Sequence, residues 1–269
     1  MRKIIAVDID GTLLNSNRII TKKTKEALIK AQEMGHIVVI VSGRDPIGVF
    51  PFAKSLEFDK HNGLISNFNG GRITNYQSGK ILINHTMDIK LASDILKFSE
   101  ENLDMHYILY TNQGIITNSS ETYVIDEIAS KAFSHYKVVS DIAYNLDFAP
   151  NKIMFSQNPQ LIDKDAKKLR DKFSSLTDQV KSTPYFYEIM PKGISKGKSL
   201  SELADYYGIN MKDTIAFGDE ENDLTMIKMA GKGIVMGNGT DFMKSVADFI
   251  TKTNDEDGIA YYLENFLFN

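Results

Sequence analysis

The sequence contains no cysteine, no concentration of basic residues and no long hydrophobic segment. Without cysteine the chain forms no disulfide bonds, and nothing in it indicates export to an oxidising compartment. The formal net charge is −4, which argues against a nucleic-acid partner. The apolar runs are far shorter than the roughly 20 residues that a membrane helix needs, and the first residues lack the features of a signal peptide. We therefore expect a cytoplasmic protein that binds neither nucleic acid nor a membrane.

Short, continuous apolar segments rich in Ile and Val predict strands that are buried on both faces, as in a parallel sheet covered by helices. These segments lie at residues 4–7, 37–41, 64–65, 214–217 and 233–236. Between the first two, apolar residues recur at helical spacing, with Thr21 suited to begin the helix and Gly35 to end it. The same order of helix and strand returns at 195–219. The pattern predicts an α/β fold with a doubly wound, mostly parallel, Rossmann-like sheet.

The middle of the chain has a different pattern. Two strands are predicted around a turn at Asn112-Gln113-Gly114, and helical spacing occurs at 91–101 and 162–173. This mixture predicts a smaller α+β unit inserted into the first one. We expect a core domain made of 1–83 and 191–269, with an inserted domain at 84–190.

Polar clusters follow four of the predicted strands, at residues 8–12, 42–45, 67–71 and 218–223. The carboxyl ends of parallel strands meet at one edge of an open sheet, and ligands bind there. These clusters are therefore expected to converge on a single crevice.

The expected crevice is rich in carboxylates. Asp8, Asp10, Asp219 and Asp223 are predicted to lie close together. Like charges in a partly desolvated site raise one another's pKa unless a cation neutralises them. Since no His or Cys accompanies these oxygens, the set suits Mg²⁺.

The same strand ends offer groups that can bind a phosphoryl oxygen. Ser42 supplies a hydroxyl and Gly43 an unhindered amide. If a helix opens at Asp219, then Asn222 and Asp223 share one face with it at spacings of three and four residues. A fixed cation is also needed.

Lys196 can supply that cation, because it lies where a helix is predicted to begin, ahead of the strand that leads to Asp219. Lys192 and Lys198 remain alternatives. Arg44 and Asp45 are interpreted as pairing with each other or with a neighbour, outside the site.

With these motifs the sequence resembles the haloacid dehalogenase superfamily of phosphatases, and specifically the Cof-like hydrolases. Four motifs match in order: DIDGT at 8–12, SGR at 42–44, Lys196, and GDEEND at 218–223. The insertion between the second and third motifs has the size and character of the large cap domain of that family.

The resemblance implies a role for each matched residue. Asp8 would be the nucleophile that attacks phosphorus, and Asp10 the general acid and base. Mg²⁺ would be held by the Asp8 carboxylate, the Asp10 backbone carbonyl and Asp219, with Asp223 behind them. The phosphoryl group would be bound by Ser42, the amides of Ile9 and Gly43, Asn222 and Lys196.

The resemblance favours a Mg²⁺-dependent phosphatase that acts on small phosphorylated metabolites, with sugar phosphates or a phosphorylated cofactor as candidates. A phosphomutase could use the same two aspartates. A phosphate-sensing module similar to a receiver domain is a third possibility, but a long-lived aspartyl-phosphate has no use for Asp10. The sequence leaves the substrate and the oligomeric state open.

Overall fold

The computed structural model of the chain describes residues 1–111, 113–131 and 135–268. The helices are α1 (Lys22–Glu33), α2 (Phe50–Ser55), α3 (Phe58–His61), α4 (Ile89–Asn102), α5 (Ile125–Lys131), α6 (Ile162–Phe173), α7 (Lys196–Tyr207), α8 (Leu224–Met229), α9 (Asp241–Ser245) and α10 (Gly258–Phe266). The strands are β1 (Ile4–Val7), β2 (Ile37–Val41), β3 (Leu64–Asn67), β4 (Arg72–Asn75), β5 (Ile81–Asn84), β6 (His106–Thr111), β7 (Gly114–Thr117), β8 (Tyr136–Val138), β9 (Ile153–Ser156), β10 (Thr177–Thr183), β11 (Phe186–Pro191), β12 (Thr214–Gly218), β13 (Lys232–Val235) and β14 (Phe249–Ile250).

Contacts divide the chain into two compact units, Met1–Ile83 with Ser195–Asn269, and Asn84–Ile194. The boundaries at 84 and 190 that the sequence suggests for an inserted domain stay a prediction. Among the described residues, none of the helices combines the length and apolar character needed to cross a bilayer.

The first unit is built on a sheet with the strand order β14-β13-β12-β1-β2-β3-β4-β5. From β14 to β3 the neighbouring strands are parallel, and β4 runs antiparallel to β3. The chain leaves β1 toward β2 on one side and later returns to β12 on the other. The point where the strand order reverses therefore lies between β1 and β12, which is where ligands bind in such sheets.

Both faces of this sheet are covered, which explains the continuous apolar strands. Within β1, Ile5 and Val7 pack with α1 and α10, whereas Ile4 and Ala6 pack with α7 and α8 on the opposite face. The doubly wound, mostly parallel α/β fold predicted from the sequence is confirmed. The predicted strands are found with shifts of one or two residues at four of their ends, and β4, β5 and β14 extend the sheet beyond them.

The second unit has its own sheet, with the order β10-β11-β9-β6-β7-β8. Its pairs are antiparallel except for β7 with β8. One face packs against α4 and α6, and the other face packs against α5. The predicted helices at 91–101 and 162–173 correspond to α4 and α6. The turn predicted between β6 and β7 includes Asn112, which lies outside the described residues.

Candidate active site

The backbone of β1, β2 and β12 holds the first residue after each strand in place. The amide of Asp8 donates to the carbonyl of Phe217 at 3.1 Å, which continues the β1–β12 ladder. The amide of Ser42 donates to the carbonyl of Ser66 at 2.8 Å. Asp219 directly follows β12. Rigid strands therefore deliver Asp8, Ser42 and Asp219 to the edge where the strand order reverses.

Three carboxylates meet at this edge. Asp8, Asp219 and Asp223 are buried, and each offers an oxygen that lies within 4.8 Å of the others. Burial of three like charges is unfavourable unless cations compensate them. The cluster therefore needs positive charge nearby.

Lys196 supplies part of that charge from the first turn of α7. Its side chain is fully buried, and its Nζ lies 2.6 Å from Asp8 Oδ1 and 2.6 Å from Asp223 Oδ1. The alternatives from the sequence lie elsewhere: Lys192 pairs with Asp178, and Lys198 lies 3.8 Å from Glu202. Of the three lysines, it is Lys196 that the structure brings to the carboxylates.

One ammonium cannot neutralise three carboxylates, and the pKa values reflect this. Burial raises the pKa of Asp8 to about 8, with Lys196 opposing the rise and the charges of Asp223 and Asp219 adding to it. Burial likewise raises the pKa of Asp219 to about 7. Burial alone would lower the pKa of Lys196, but the charges of Asp8 and Asp223 outweigh it and raise that pKa.

The donor set fits a divalent cation. Three carboxylates and one ammonium leave a net charge of −2 when all four groups are ionised. Hard oxygen ligands without His or Cys are those that Mg²⁺ and similar ions prefer. A divalent ion bound to this set would cancel the excess charge and return the raised pKa values of Asp8 and Asp219 toward their ordinary range. The buried acids of Asp8, Asp219 and Asp223 can hold such a metal.

The turn after β1 is built closely around Asp219. The hydroxyl of Thr12 donates to Asp219 Oδ1 at 2.7 Å. Gly11 has a φ of +80°, and a Cβ on it would lie 2.8 Å from Asp219 Cγ and still closer to Oδ2. A glycine is therefore required here both for the backbone conformation and for the space that the carboxylate occupies.

The condition that a helix opens at Asp219, which would place Asn222 and Asp223 on one face with it, is not met. A 3₁₀ turn at Glu221–Asp223 comes first, and α8 begins at Leu224. The reason is local: Asp223 Oδ2 accepts the amides of Asp219 and Glu220, at 3.0 and 3.3 Å, and so closes the loop as a cap. Asp223 is thus buried beneath the loop, while Asn222 is exposed on the 3₁₀ turn.

The prediction that four carboxylates lie close together is wrong for Asp10. Its side chain is 57% exposed and does not join the buried carboxylates. The strand ends at Val7 and the chain turns back, with the amides of Leu13 and Leu14 donating to the carbonyls of Asp8 and Ile9. This turn leaves the Asp10 carboxylate on the outside, so only three of the four expected carboxylates meet.

Arg44 holds the carboxylate of Asp10. Its Nη2 lies 2.6 Å from Asp10 Oδ1, and its Nε lies 3.1 Å from Oδ2. Arg44 therefore pairs with a neighbour, as expected, and that neighbour is Asp10, one of the predicted site residues. The signal available in the sequence was its position in the polar cluster at 42–45, which follows β2.

The candidate phosphate-binding groups lie along the same edge. Ser42 is buried, and its Oγ accepts the amide of Arg44 at 3.2 Å. Gly43 lies under the side chain of Asn69, whose Oδ1 would be 3.0 Å from a Cβ at that position. The Ile9 side chain is fully buried in the core, so Ile9 can contribute only its backbone to a ligand.

Comparison with known proteins agrees with this geometry. The family model for haloacid dehalogenase-like hydrolases matches residues 5–263. A 5-amino-6-(5-phospho-D-ribitylamino)uracil phosphatase of Bacillus subtilis, YwtE, is 31% identical, with 98% of each chain covered. The phosphatase YwpJ of Bacillus subtilis is 30% identical over 98% of this chain and 100% of its own length. A haloacid dehalogenase-like hydrolase from Bacteroides thetaiotaomicron has a structure that matches with a TM-score of 0.92 at 31% identity, covering 99% of this chain and 100% of that one. The chain therefore belongs to the haloacid dehalogenase-like hydrolases, within the Cof-like group, and it is a phosphatase.

Proposed function

We propose that this phosphatase hydrolyses small phosphorylated metabolites, such as sugar phosphates or phosphorylated cofactors, with Mg²⁺ and through an aspartyl-phosphate on Asp8. The observation that carries the proposal is the buried contact of Asp8 with Lys196, beside Asp219 and Asp223, at the reversal point of the sheet. It combines a nucleophile, a fixed cation and oxygen ligands for a metal in one place.

The metal would be held by the carboxylates of Asp8 and Asp219 and by the backbone carbonyl of Asp10, with Asp223 orienting the loop behind them. When bound, a divalent ion supplies positive charge that stabilises the phosphoryl oxygens and balances the carboxylates. Mg²⁺ is favoured because the cluster of Asp8, Asp219 and Asp223 offers carboxylate oxygens and, among the described residues, includes no His or Cys.

In the first half of the reaction, a carboxylate oxygen of Asp8 attacks phosphorus in line with the ester bond. The phosphorus–oxygen bond to the leaving group breaks, and its electron pair stays on the leaving oxygen. That oxygen takes a proton from Asp10, which produces an alcohol and the aspartyl-phosphate. Lys196 orients the Asp8 carboxylate through its 2.6 Å contact.

In the second half, water attacks the phosphorus of the aspartyl-phosphate and gives a proton to Asp10. The bond between phosphorus and the Asp8 oxygen breaks, so phosphate leaves and both aspartates return to their starting states. General acid and base catalysis of this kind typically contributes about 10²- to 10⁴-fold.

The phosphoryl oxygens would be bound by the Ser42 hydroxyl, the amides of Ile9 and Gly43, the side chain of Asn222, and Lys196. Such fixed donors stabilise the transition state because they need no reorganisation as charge shifts. The inserted residues 84–190 are proposed as the cap domain that selects the substrate. YwtE, whose name specifies a phosphoribityl substrate, supports a phosphorylated sugar or sugar alcohol as the class.

The experiment is a phosphate-release assay on a panel of phosphorylated sugars, sugar alcohols, nucleotides and cofactors, with Mg²⁺ and then with EDTA. Asp8→Asn is compared with Asp59→Asn, which changes an exposed aspartate of α3 in the same unit. We expect release that requires Mg²⁺, survives in Asp59→Asn and is lost in Asp8→Asn.

Other outcomes separate the parts of the proposal. Release that EDTA leaves unchanged contradicts the metal, and release by Asp8→Asn at the wild-type rate contradicts the nucleophile. An isomerised product without free phosphate would indicate a phosphomutase. A stable aspartyl-phosphate without turnover would indicate a phosphate-sensing module.

A further inference from the structure

We propose that Arg44 is a positioning residue for Asp10, which sets the direction from which Asp10 exchanges a proton with the leaving group. The inference rests on the proposed role of Asp10 as the general acid and base. It concerns a residue that the four motif roles described above do not include.

The first observation is the geometry of the ion pair. Arg44 contacts both oxygens of Asp10, with Nη2 to Oδ1 at 2.6 Å and Nε to Oδ2 at 3.1 Å. A planar guanidinium that binds both oxygens fixes the plane of the carboxylate as well as its position, which an ammonium cannot do. The Asp10 side chain is 57% exposed, so without this pair it would be free to occupy other staggered rotamers.

The second observation is that the backbone of Arg44 is itself fixed. Its amide donates to Ser42 Oγ at 3.2 Å. Its carbonyl accepts from Asn67 Nδ2 at 3.0 Å and from the amide of Phe68 at 3.2 Å. Because Asn67 is fully buried at the end of β3, Arg44 is anchored to two strand ends of the core sheet.

The guanidinium is also held at its far end. It lies over the ring of Phe52, with 5.6 Å from Cζ to the ring centroid, and its Nη1 lies 3.5 Å from the carbonyl of Gly48. Stacking on an aromatic face and the hydrogen bonds together restrict a side chain that otherwise has many rotamers. The direction imposed on Asp10 therefore comes from the sheet and from α2 as well as from the turn after β1 that carries it.

The pair still permits proton transfer. An ionised carboxylate has about four lone-pair sites, and the guanidinium occupies one on each oxygen. A proton bound at one of the remaining sites can pass to the oxygen of the leaving group, and the carboxylate that results can take a proton from water there. A general acid is effective only within hydrogen-bond reach and in the right direction, and this is what Arg44 provides.

A consequence distinguishes positioning of Asp10 from other roles. An alkyl phosphate needs its leaving oxygen protonated as the bond to phosphorus breaks. The p-nitrophenolate ion leaves without a proton. Arg44 should therefore matter for alkyl phosphates and hardly at all for p-nitrophenyl phosphate.

The experiment compares kcat/KM for p-nitrophenyl phosphate with that for the alkyl phosphate that the wild-type enzyme hydrolyses best, both with saturating Mg²⁺. Arg44→Gln removes the charge and the two-point contact, and Arg44→Lys keeps the charge alone. The matched control is Arg2→Gln, because Arg2 is exposed and precedes the opposite end of β1. Thermal unfolding of each variant confirms that it is folded.

For Arg44→Gln we expect kcat/KM to fall about 10- to 100-fold with the alkyl phosphate, part of the usual general-acid contribution. With p-nitrophenyl phosphate the fall should be less than about threefold. Arg44→Lys should likewise lose more kcat/KM with the alkyl phosphate than with p-nitrophenyl phosphate, and Arg2→Gln should resemble the wild type with both substrates. In an Asp10→Asn background, Arg44→Gln should cause no further loss with the alkyl phosphate, because both changes remove one function.

Equal losses with both substrates would overturn the proposal, since they would indicate that Arg44 binds the phosphoryl group or only supports the fold. Unchanged kcat/KM for both substrates in Arg44→Gln would overturn it as well. So would a loss in the double variant that exceeds the loss caused by Asp10→Asn alone. If Asp10→Asn itself lowers kcat/KM equally for both substrates, the proposed role of Asp10 as acid and base is contradicted instead. The two failures are therefore distinguishable.

Discussion

Replacing Gly11 by alanine tests how closely the turn after β1 approaches the carboxylate of Asp219. The φ of Gly11 is +80°, in the left-handed region, where a residue with a Cβ costs about 1–2 kcal/mol. The new Cβ would lie 2.8 Å from Asp219 Cγ, whereas ordinary contacts begin at 3.4 Å. The carboxyl carbon must therefore move by at least 0.6 Å, and Oδ2, which is closer, must move further.

This movement should weaken metal binding more than it weakens the fold. A side chain can rotate out of the way, so the stability cost stays near the 1–2 kcal/mol of the backbone term. Mg²⁺ demands oxygens at about 2.0–2.1 Å in nearly ideal octahedral geometry, and a displaced Asp219 cannot meet that demand. We expect the dissociation constant for Mg²⁺ to rise at least about tenfold, which corresponds to about 1.4 kcal/mol.

The matched control is Gly35→Ala. Gly35 has a φ of +87°, and a Cβ there would have nothing within 4 Å. Both variants should lose similar unfolding free energy in urea with EDTA present, but only Gly11→Ala should lose Mg²⁺ affinity by calorimetric titration and turnover at limiting Mg²⁺. If Gly11→Ala binds Mg²⁺ and turns over substrate as Gly35→Ala does, the assignment of Asp219 to the metal is refuted.

Two further predictions concern the buried charges. Lys196→Met leaves Asp8 and Asp223 buried without their cation, so at pH 9 without metal we expect the unfolding free energy to drop by about 3–5 kcal/mol. Lys198→Met, at a side chain that is 43% exposed, should stay within about 0.5 kcal/mol of the wild type. If Lys196→Met loses as little unfolding free energy in urea as Lys198→Met, the buried pairing is contradicted. Burial raises the pKa of Asp219 to about 7, so between about pH 4 and 7 the folded protein without metal binds a proton that the unfolded chain has released. Stability should therefore fall as the pH rises through this window, and Asp219→Asn should flatten the dependence of the melting temperature on pH; an unchanged slope would show that Asp219 does not titrate there.

Local pattern was sufficient to predict the sheet and its functional edge. Residues 4–7 are apolar without interruption because helices cover both faces of β1, and this signal is readable without any knowledge of distant contacts. The polar residues that follow β1, β2 and β12 were expected at one edge because parallel strands end together. Because the motifs in these clusters follow one another in the order typical of the haloacid dehalogenase superfamily, they also indicated the family.

Long-range geometry determined which side chains meet. Lys196 and Asp8 are 188 positions apart, and Arg44 and Asp10 are 34 apart. No periodicity in the chain reports on such distances, so Lys196 was favoured over its neighbours through the family motif, and nothing in the sequence paired Arg44 with Asp10.

The sequence by itself determined the central parallel strands, the doubly wound class of the fold and the acidic residues at the strand ends, because each depends on hydrophobic periodicity and on residue chemistry. Only the tertiary structure decided that Asp10 turns outward to Arg44, while Asp8 and Asp223 contact Lys196 beside Asp219. The physical reason is that the direction of a side chain after a strand end depends on the turn that follows and on the partners that distant segments bring to it.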